Sequence, residues 1–99
     1  MPEVQRHGTS QVQMKDGAEV RYTNSGIAHA IDEYIHSARD RRIMKLHYID
    51  GLSPDVIARL DEKKDNVPIE LKIEIESRQI SRILSDRLLD IMPYIENPQ

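Results

Sequence analysis

The 99-residue chain has no cysteine, no tryptophan and no phenylalanine, and its aromatic side chains are four tyrosines. The missing cysteine excludes disulfides, thiolate catalysis, iron–sulfur clusters and the common structural zinc sites. It fits a reducing compartment. Without Trp or Phe, the core must come from Ile, Leu, Val and Met. A chain this size buries only about 60–70% of its unfolded surface, so one domain is expected. No apolar run approaches the roughly 20 residues of a membrane span. Met1 to Ser10 also lacks the apolar stretch of a signal peptide. The expectation is a cytoplasmic protein with no membrane partner. A positive excess is lacking too: 14 Lys and Arg stand against 17 Asp and Glu, a formal charge of −3. Bulk charge therefore gives no reason to expect nucleic-acid binding, and any such role must rest on local groups.

What is present falls into one domain over residues 11–95, with a loose N-terminus (1–10) and a short tail (96–99). Gln11-Val12-Gln13-Met14 and Ala18-Glu19-Val20-Arg21-Tyr22 both alternate around Lys15-Asp16-Gly17, the pattern of a β-hairpin over 11–22. Thr23-Asn24-Ser25-Gly26 then starts a helix. From Ile27 to Ala38 apolar residues recur at three- and four-residue steps. A second stripe uses Ile43, Leu46 and Ile49 or Tyr48. Ser37 can cap between the two stripes, with Asp40 three residues on, so one bent helix and two separate helices are both open. Gly51 ends this segment. Ser53-Pro54-Asp55 is a strong helix start, and the helix it opens is short, carrying Val56, Ile57 and Leu60. Glu62 to Asn66 reads as a loop. Ile69 to Glu76 alternates strictly, which predicts a strand with Pro68 at its edge position and the hairpin as pairing partner. Ser77 is expected to cap a last helix whose apolar stripe is Ile80, Ile83, Leu84, Leu88 and Ile91. Pro93 is expected to stop it.

Catalytic patterns are missing. Asp32-Glu33 and Asp61-Glu62 are adjacent pairs, and neighbours on a helix point apart. There is no Ser-His-Asp pattern, no phosphate-binding glycine loop and no nucleophile elbow. Of the four histidines, His29 and His36 share a helix face but lie two turns apart, and His47 is remote. The expectation is no enzyme, no metal and no cofactor.

The last helix is more informative. Opposite its apolar stripe lie Arg78, Ser81, Arg82 and Ser85, with Gln79 beside them. Arg and Gln can bond guanine and adenine edges bidentately in a major groove, and Ser can contact base or phosphate. Such a row equally serves as an ordinary solvated face. A second basic cluster, Arg39, Arg41, Arg42 and Lys45, offers phosphate contacts through Arg42 and Lys45, with Ser53 nearby. Its alternative is a salt-bridged surface of little energetic weight.

The stretch from Ala38 to Ala58 resembles the fourth region of bacterial sigma factors, and the sigma-like helix-turn-helix proteins of phages and mobile elements. The resemblance is carried by the charged helix start, the apolar beat of Ile43 and Leu46, the run Tyr48-Ile49-Asp50-Gly51-Leu52-Ser53, and Ile57-Ala58. Ser77-Arg78-Gln79-Ile80-Ser81-Arg82-Ile83-Leu84 resembles the family's recognition helix. The departure is the turn between the two helices. It is a few residues in the family, whereas here Ala58 and Ser77 stand 19 positions apart.

The resemblance implies an α+β, mostly helical fold, a helix-turn-helix core with a small antiparallel sheet. A winged helix is the variant in which Lys15 lies on the wing. The function it implies is sequence-specific double-stranded DNA binding by a transcription regulator or accessory factor. Arg78, Gln79, Ser81, Arg82 and Ser85 would contact bases, and Arg42, Lys45 and Ser53 would contact phosphates. A homodimer is expected because a single short reader binds weakly. The rival is a protein-interaction module for RNA polymerase or another regulator.

Overall fold

Turn and cap residues cut the described part of the chain into four helices preceded by two paired strands. The computed structural model describes residues 9–13 and 19–95, with side chains described from Tyr22 onward. The expectations for residues 1–8, for the hairpin loop with Lys15 and for residues 96–99 lie outside the described residues. Thr9–Gln13 (β1) and Glu19–Thr23 (β2) pair antiparallel, with Thr9 opposite Thr23 and Val12 opposite Val20. Thr23 also caps α1 (Asn24–Tyr34), its hydroxyl accepting from the Gly26 N–H at 3.0 Å. A Cβ on residue 26 would lie 2.9 Å from that hydroxyl, so glycine lets the cap close.

The two stripes after Ile27 are two helices. The chain leaves α1 at Ile35, and Ser37 caps α2 (Ala38–Tyr48) by accepting from the Asp40 N–H at 3.2 Å. Arg41 reaches back and donates to the carbonyls of Ile35 (2.7 Å) and His36 (3.0 Å), covering the open end of α1. After α2, Gly51 takes φ +80°, in the left-handed region. That conformation returns the Leu52 N–H to the Leu46 carbonyl at 3.0 Å, while His47 Nδ1 donates to the Leu52 carbonyl at 2.8 Å. Ser53 then caps α3 (Pro54–Arg59), accepting from the Val56 N–H at 3.3 Å with Pro54 in the first turn.

The connection over residues 60–76 departs most from expectation. Strict alternation predicts a strand there, but the backbone runs through turns, with the Leu71 N–H bonded to the Pro68 carbonyl at 2.9 Å. Of Ile69, Leu71, Ile73 and Ile75, Ile73 is buried, Leu71 and Ile75 are partly buried, and Ile69 is 82% exposed. This course goes with an ion pair that is buried on one side only. Asp61 is the one buried charged residue among the described residues, and Arg42 grips it with both guanidinium branches at 2.7 and 2.9 Å. The free valences of that pair then hold the connection. Asp61 accepts from the Ile73 N–H at 2.9 Å, and Arg42 donates to the Leu71 carbonyl at 3.1 Å. Backbone groups that a ladder would have used are thus met by two side chains. The expected sheet of hairpin plus third strand does not form, no other strand is found among the described residues, and the winged-helix arrangement goes with it.

Two features of α4 (Ser77–Ile95) also differ. Ser77 is its first residue, not its cap. The carbonyl of Glu76 accepts the first helical bond from Ile80, and the Gln79 side chain accepts from the Glu76 N–H at 3.0 Å, half of a capping box. Pro93 lies inside the helix, which continues for two residues beyond it. Near a helix end a proline removes one bond without ending the packing. The last turn is held by buried Ile95 and by Tyr94, whose ring stacks on Tyr34 of α1 with centroids 3.8 Å apart.

α4, about 28 Å long at 1.5 Å per residue, packs on α1, α2, α3 and β2. Its stripe of Ile80, Leu84, Leu88, Ile91 and Ile95 joins Ile27 and Ile31 of α1, Ile43 and Met44 of α2, Ile57 of α3, and Ile73 in a single core. Ile83, expected in that stripe, lies at its margin and is partly buried.

The 60–76 connection can be tested at two points. Ile69→Ser will leave stability within about 0.5 kcal/mol, whereas Ile73→Ala will cost about 2–5 kcal/mol in urea unfolding; equal effects would restore the strand. Asp61→Ala will cost about 2–4 kcal/mol, because it strands a guanidinium that is 23% exposed together with the Ile73 N–H. The bonds from Arg42, then those from the Ile73 N–H and the charge of Lys64, hold the Asp61 carboxyl below its usual range against the opposing effect of burial. A lowered folded pKa gives stability that is complete above the unfolded value of about 4 and is lost as pH falls through the folded one. Acid titration of stability will therefore narrow the gap between wild type and Asp61→Ala progressively as pH falls below about 4.

Candidate nucleic-acid interface

The outward face of α4 is set by what its inward face buries. Ile80, Leu84 and Leu88 are fully enclosed, so Arg78, Gln79, Ser81 and Arg82 are turned to solvent and Ser85 is half-buried. Two tyrosines fix the helix in place. The Tyr48 hydroxyl donates to the Leu84 carbonyl at 3.2 Å, and the Tyr22 hydroxyl donates to the Tyr48 carbonyl at 3.0 Å. Their rings meet edge to face with centroids 6.2 Å apart. Burial, with a smaller contribution from Tyr22, pushes the Tyr48 phenol far above the usual tyrosine range. Tyr48 therefore stays a neutral donor throughout physiological pH. β2, α2 and the middle of α4 are tied into one frame.

The five expected base-contacting residues share this face but are not equally free. Arg82 has no ion pair or hydrogen bond with any described residue. Arg78 is 86% exposed, with the Glu76 carboxylate 3.9 Å away, a contact of negligible strength at that exposure. Gln79 has given its side-chain carbonyl to the Glu76 N–H. Its amide N–H groups remain, but a bidentate bond to adenine needs both ends. Glu76, Arg78, Gln79 and Arg82 line an open hollow at the start of α4. Glu76 also lines an adjoining hollow with Arg59 of α3 and Ser77, together with Asp55 and Glu62.

The expected phosphate-contacting residues fare differently. Arg42 is committed to Asp61 and to the Leu71 carbonyl, an inward role for the side chain read as an outward cation. The rest of its cluster is also engaged: Arg39 pairs with Asp40 at 3.0 Å, Arg41 covers the end of α1, and Lys45 pairs with Asp32 at 2.7 Å. The Lys45 pair is exposed on both sides and so is easily exchanged for another anion. Ser53 Oγ accepts the cap bond and keeps its own hydroxyl proton to donate.

Sequence reasoning passed over three cations. Arg59 at the end of α3, and Lys63 and Lys64 in the turn after it, are exposed and form no ion pair with a described residue. No sequence signal set them apart: Asp55 stands four residues before Arg59 on α3, and Glu62 and Asp65 flank the two lysines. Comparison of the chain with family models, with curated proteins and with solved structures finds no match.

Proposed function

We propose that this protein binds double-stranded DNA sequence-specifically, as a helix-turn-helix transcription regulator or accessory factor of the bacterial, phage or mobile-element kind, with α3 as positioning helix and α4 as reader. The observation that carries the reading is the state of Arg82. It is an exposed guanidinium without a partner among the described residues, one turn beyond exposed Arg78, on a helix whose other face is locked into the core. Arginines held this way can each take the O6 and N7 of a guanine. Ser81 and Ser85 stand beside them for base or phosphate, and Gln79 offers its amide donors. Lys45 and Ser53 remain able to reach phosphates; Arg42 is left out of the contact set. Two copies on two half-sites would supply the affinity that one reader helix lacks.

The rival, a protein-interaction module for RNA polymerase or another regulator, is favoured by a different observation. The C-terminal half of α4 exposes Leu89 and Tyr94, and Tyr94 lies against half-exposed Tyr34. Apolar surface of this kind suits a protein partner better than DNA.

Selection from a randomised duplex pool separates the readings. Wild type will enrich a motif containing guanines, and Arg82→Ala will lose roughly 10–100-fold in affinity for it, about 1–3 kcal/mol per bidentate pair, with unchanged thermal stability. Absence of any enriched motif would remove the DNA reading in favour of the rival.

A further inference from the structure

We infer that Glu76 is a specificity-determining residue of the DNA site, its carboxylate accepting from the N4 amino group of a cytosine whose paired guanine takes Arg78. This rests on the DNA-binding reading and deepens it by naming a base pair in the target. Three observations carry it. The first is position: Glu76 immediately precedes α4, and a recognition helix brings its N-terminal residues to base edges. The second is a fixed backbone beneath an unengaged side chain. The Glu76 N–H donates to the Gln79 side-chain carbonyl at 3.0 Å, and the Glu76 carbonyl accepts from the Ile80 N–H at 3.0 Å. The carboxylate itself is exposed and makes no hydrogen bond with a described residue. The third is the chemistry placed side by side. Glu76 and Arg78 line the same open hollow, with oxygen and nitrogen 3.9 Å apart, too far for a hydrogen bond. An acceptor thus stands beside a donor, and neither has used its capacity on the other.

That arrangement matches the major-groove edge of a G·C pair. Guanine offers two acceptors, N7 and O6, and cytosine offers one donor, the N4 amino group next to O6. Arg78 can take both guanine acceptors while Glu76 takes the cytosine donor. An A·T pair answers less well, because adenine sets a donor beside N7 and leaves the guanidinium one bond instead of two. The carboxylate also acts against wrong sequences. Where no amino group meets it, it is desolvated against an acceptor or a methyl group, a penalty that rejects the pair. Glu76 is the one carboxylate lining this hollow, since Asp55 and Glu62 line the adjoining one.

The test is selection from a randomised duplex pool with wild type, Glu76→Ala, Glu76→Gln and Arg78→Ala. Wild type will enrich a motif with one G·C pair that Glu76→Ala relaxes while the other positions hold. Discrimination at that pair will fall from roughly 5–100-fold to near none. Arg78→Ala will relax the same pair. Glu76→Gln will admit adenine there, because an amide both donates and accepts and so fits the adenine edge. Thermal melting of Glu76→Ala will stay close to wild type, because the bonds at the helix start use the backbone of residue 76, which alanine keeps. A carboxylate that served only the helix start would instead lower the melting temperature and leave the motif intact. If wild type enriches a motif and Glu76→Ala keeps it at every position, or relaxes a pair other than G·C, this inference falls and the DNA reading stands. If wild type enriches no motif, the DNA reading falls and takes the inference with it.

Discussion

The ion pair between Arg42 and Asp61 is the constraint on which the rest of the helical arrangement depends. It joins α2 to the turn after α3, and its remaining hydrogen-bonding capacity holds two backbone groups of the long connection to α4. Buried ion pairs often stabilise little relative to an apolar substitute, because desolvation offsets attraction. Here the pair also satisfies an N–H and a carbonyl, and no apolar pair could do that. Its geometry lets a 17-residue connection without a strand or helix (residues 60–76) pass over the molecule and place Ile73 in the core.

Much of the fold was legible because the signals involved are local. Thr23, Ser37 and Ser53 cap where short polar residues before apolar periodicity should cap, Gly51 takes the left-handed conformation at a helix end, and α4 buries one stripe and exposes another. The strand over 69–76 misled because alternation reports only a residue pattern. A strand also needs a partner edge, and here two side chains from distant positions bond the Ile73 N–H and the Leu71 carbonyl instead. Arg42 and Asp61 are 19 residues apart, a separation no helical or strand period records. Pro93 misled in the same way: its effect on a helix depends on what holds the turn beyond it, and Ile95 with the Tyr34–Tyr94 contact does so.

The candidate interface was legible in half. The row of Arg78, Ser81 and Arg82 follows from helical spacing alone. Which cations are free does not follow from spacing, because a guanidinium at a surface position can be drawn inward by a carboxylate brought near only by folding. The cluster at 39–45 carries the denser charge, yet folding pairs or covers each member. The sparser cations at Arg59, Lys63 and Lys64 form no ion pair with a described residue, although Asp55, Glu62 and Asp65 stand close in sequence and the charge of Lys64 acts on the Asp61 carboxyl.

With tyrosine the only aromatic residue, the ultraviolet signature of this chain comes from a single kind of chromophore. Those tyrosines sit in two pairs of different geometry. Tyr22 and Tyr48 meet edge-on, with interplanar angle 85°, inside the frame that holds the middle of α4; Tyr34 and Tyr94 lie nearly parallel, at 12°, where its last turn rests on α1. Parallel and perpendicular rings couple their transitions differently. The molecule therefore carries two optical reporters, one for the seating of the helix centre and one for the docking of its end.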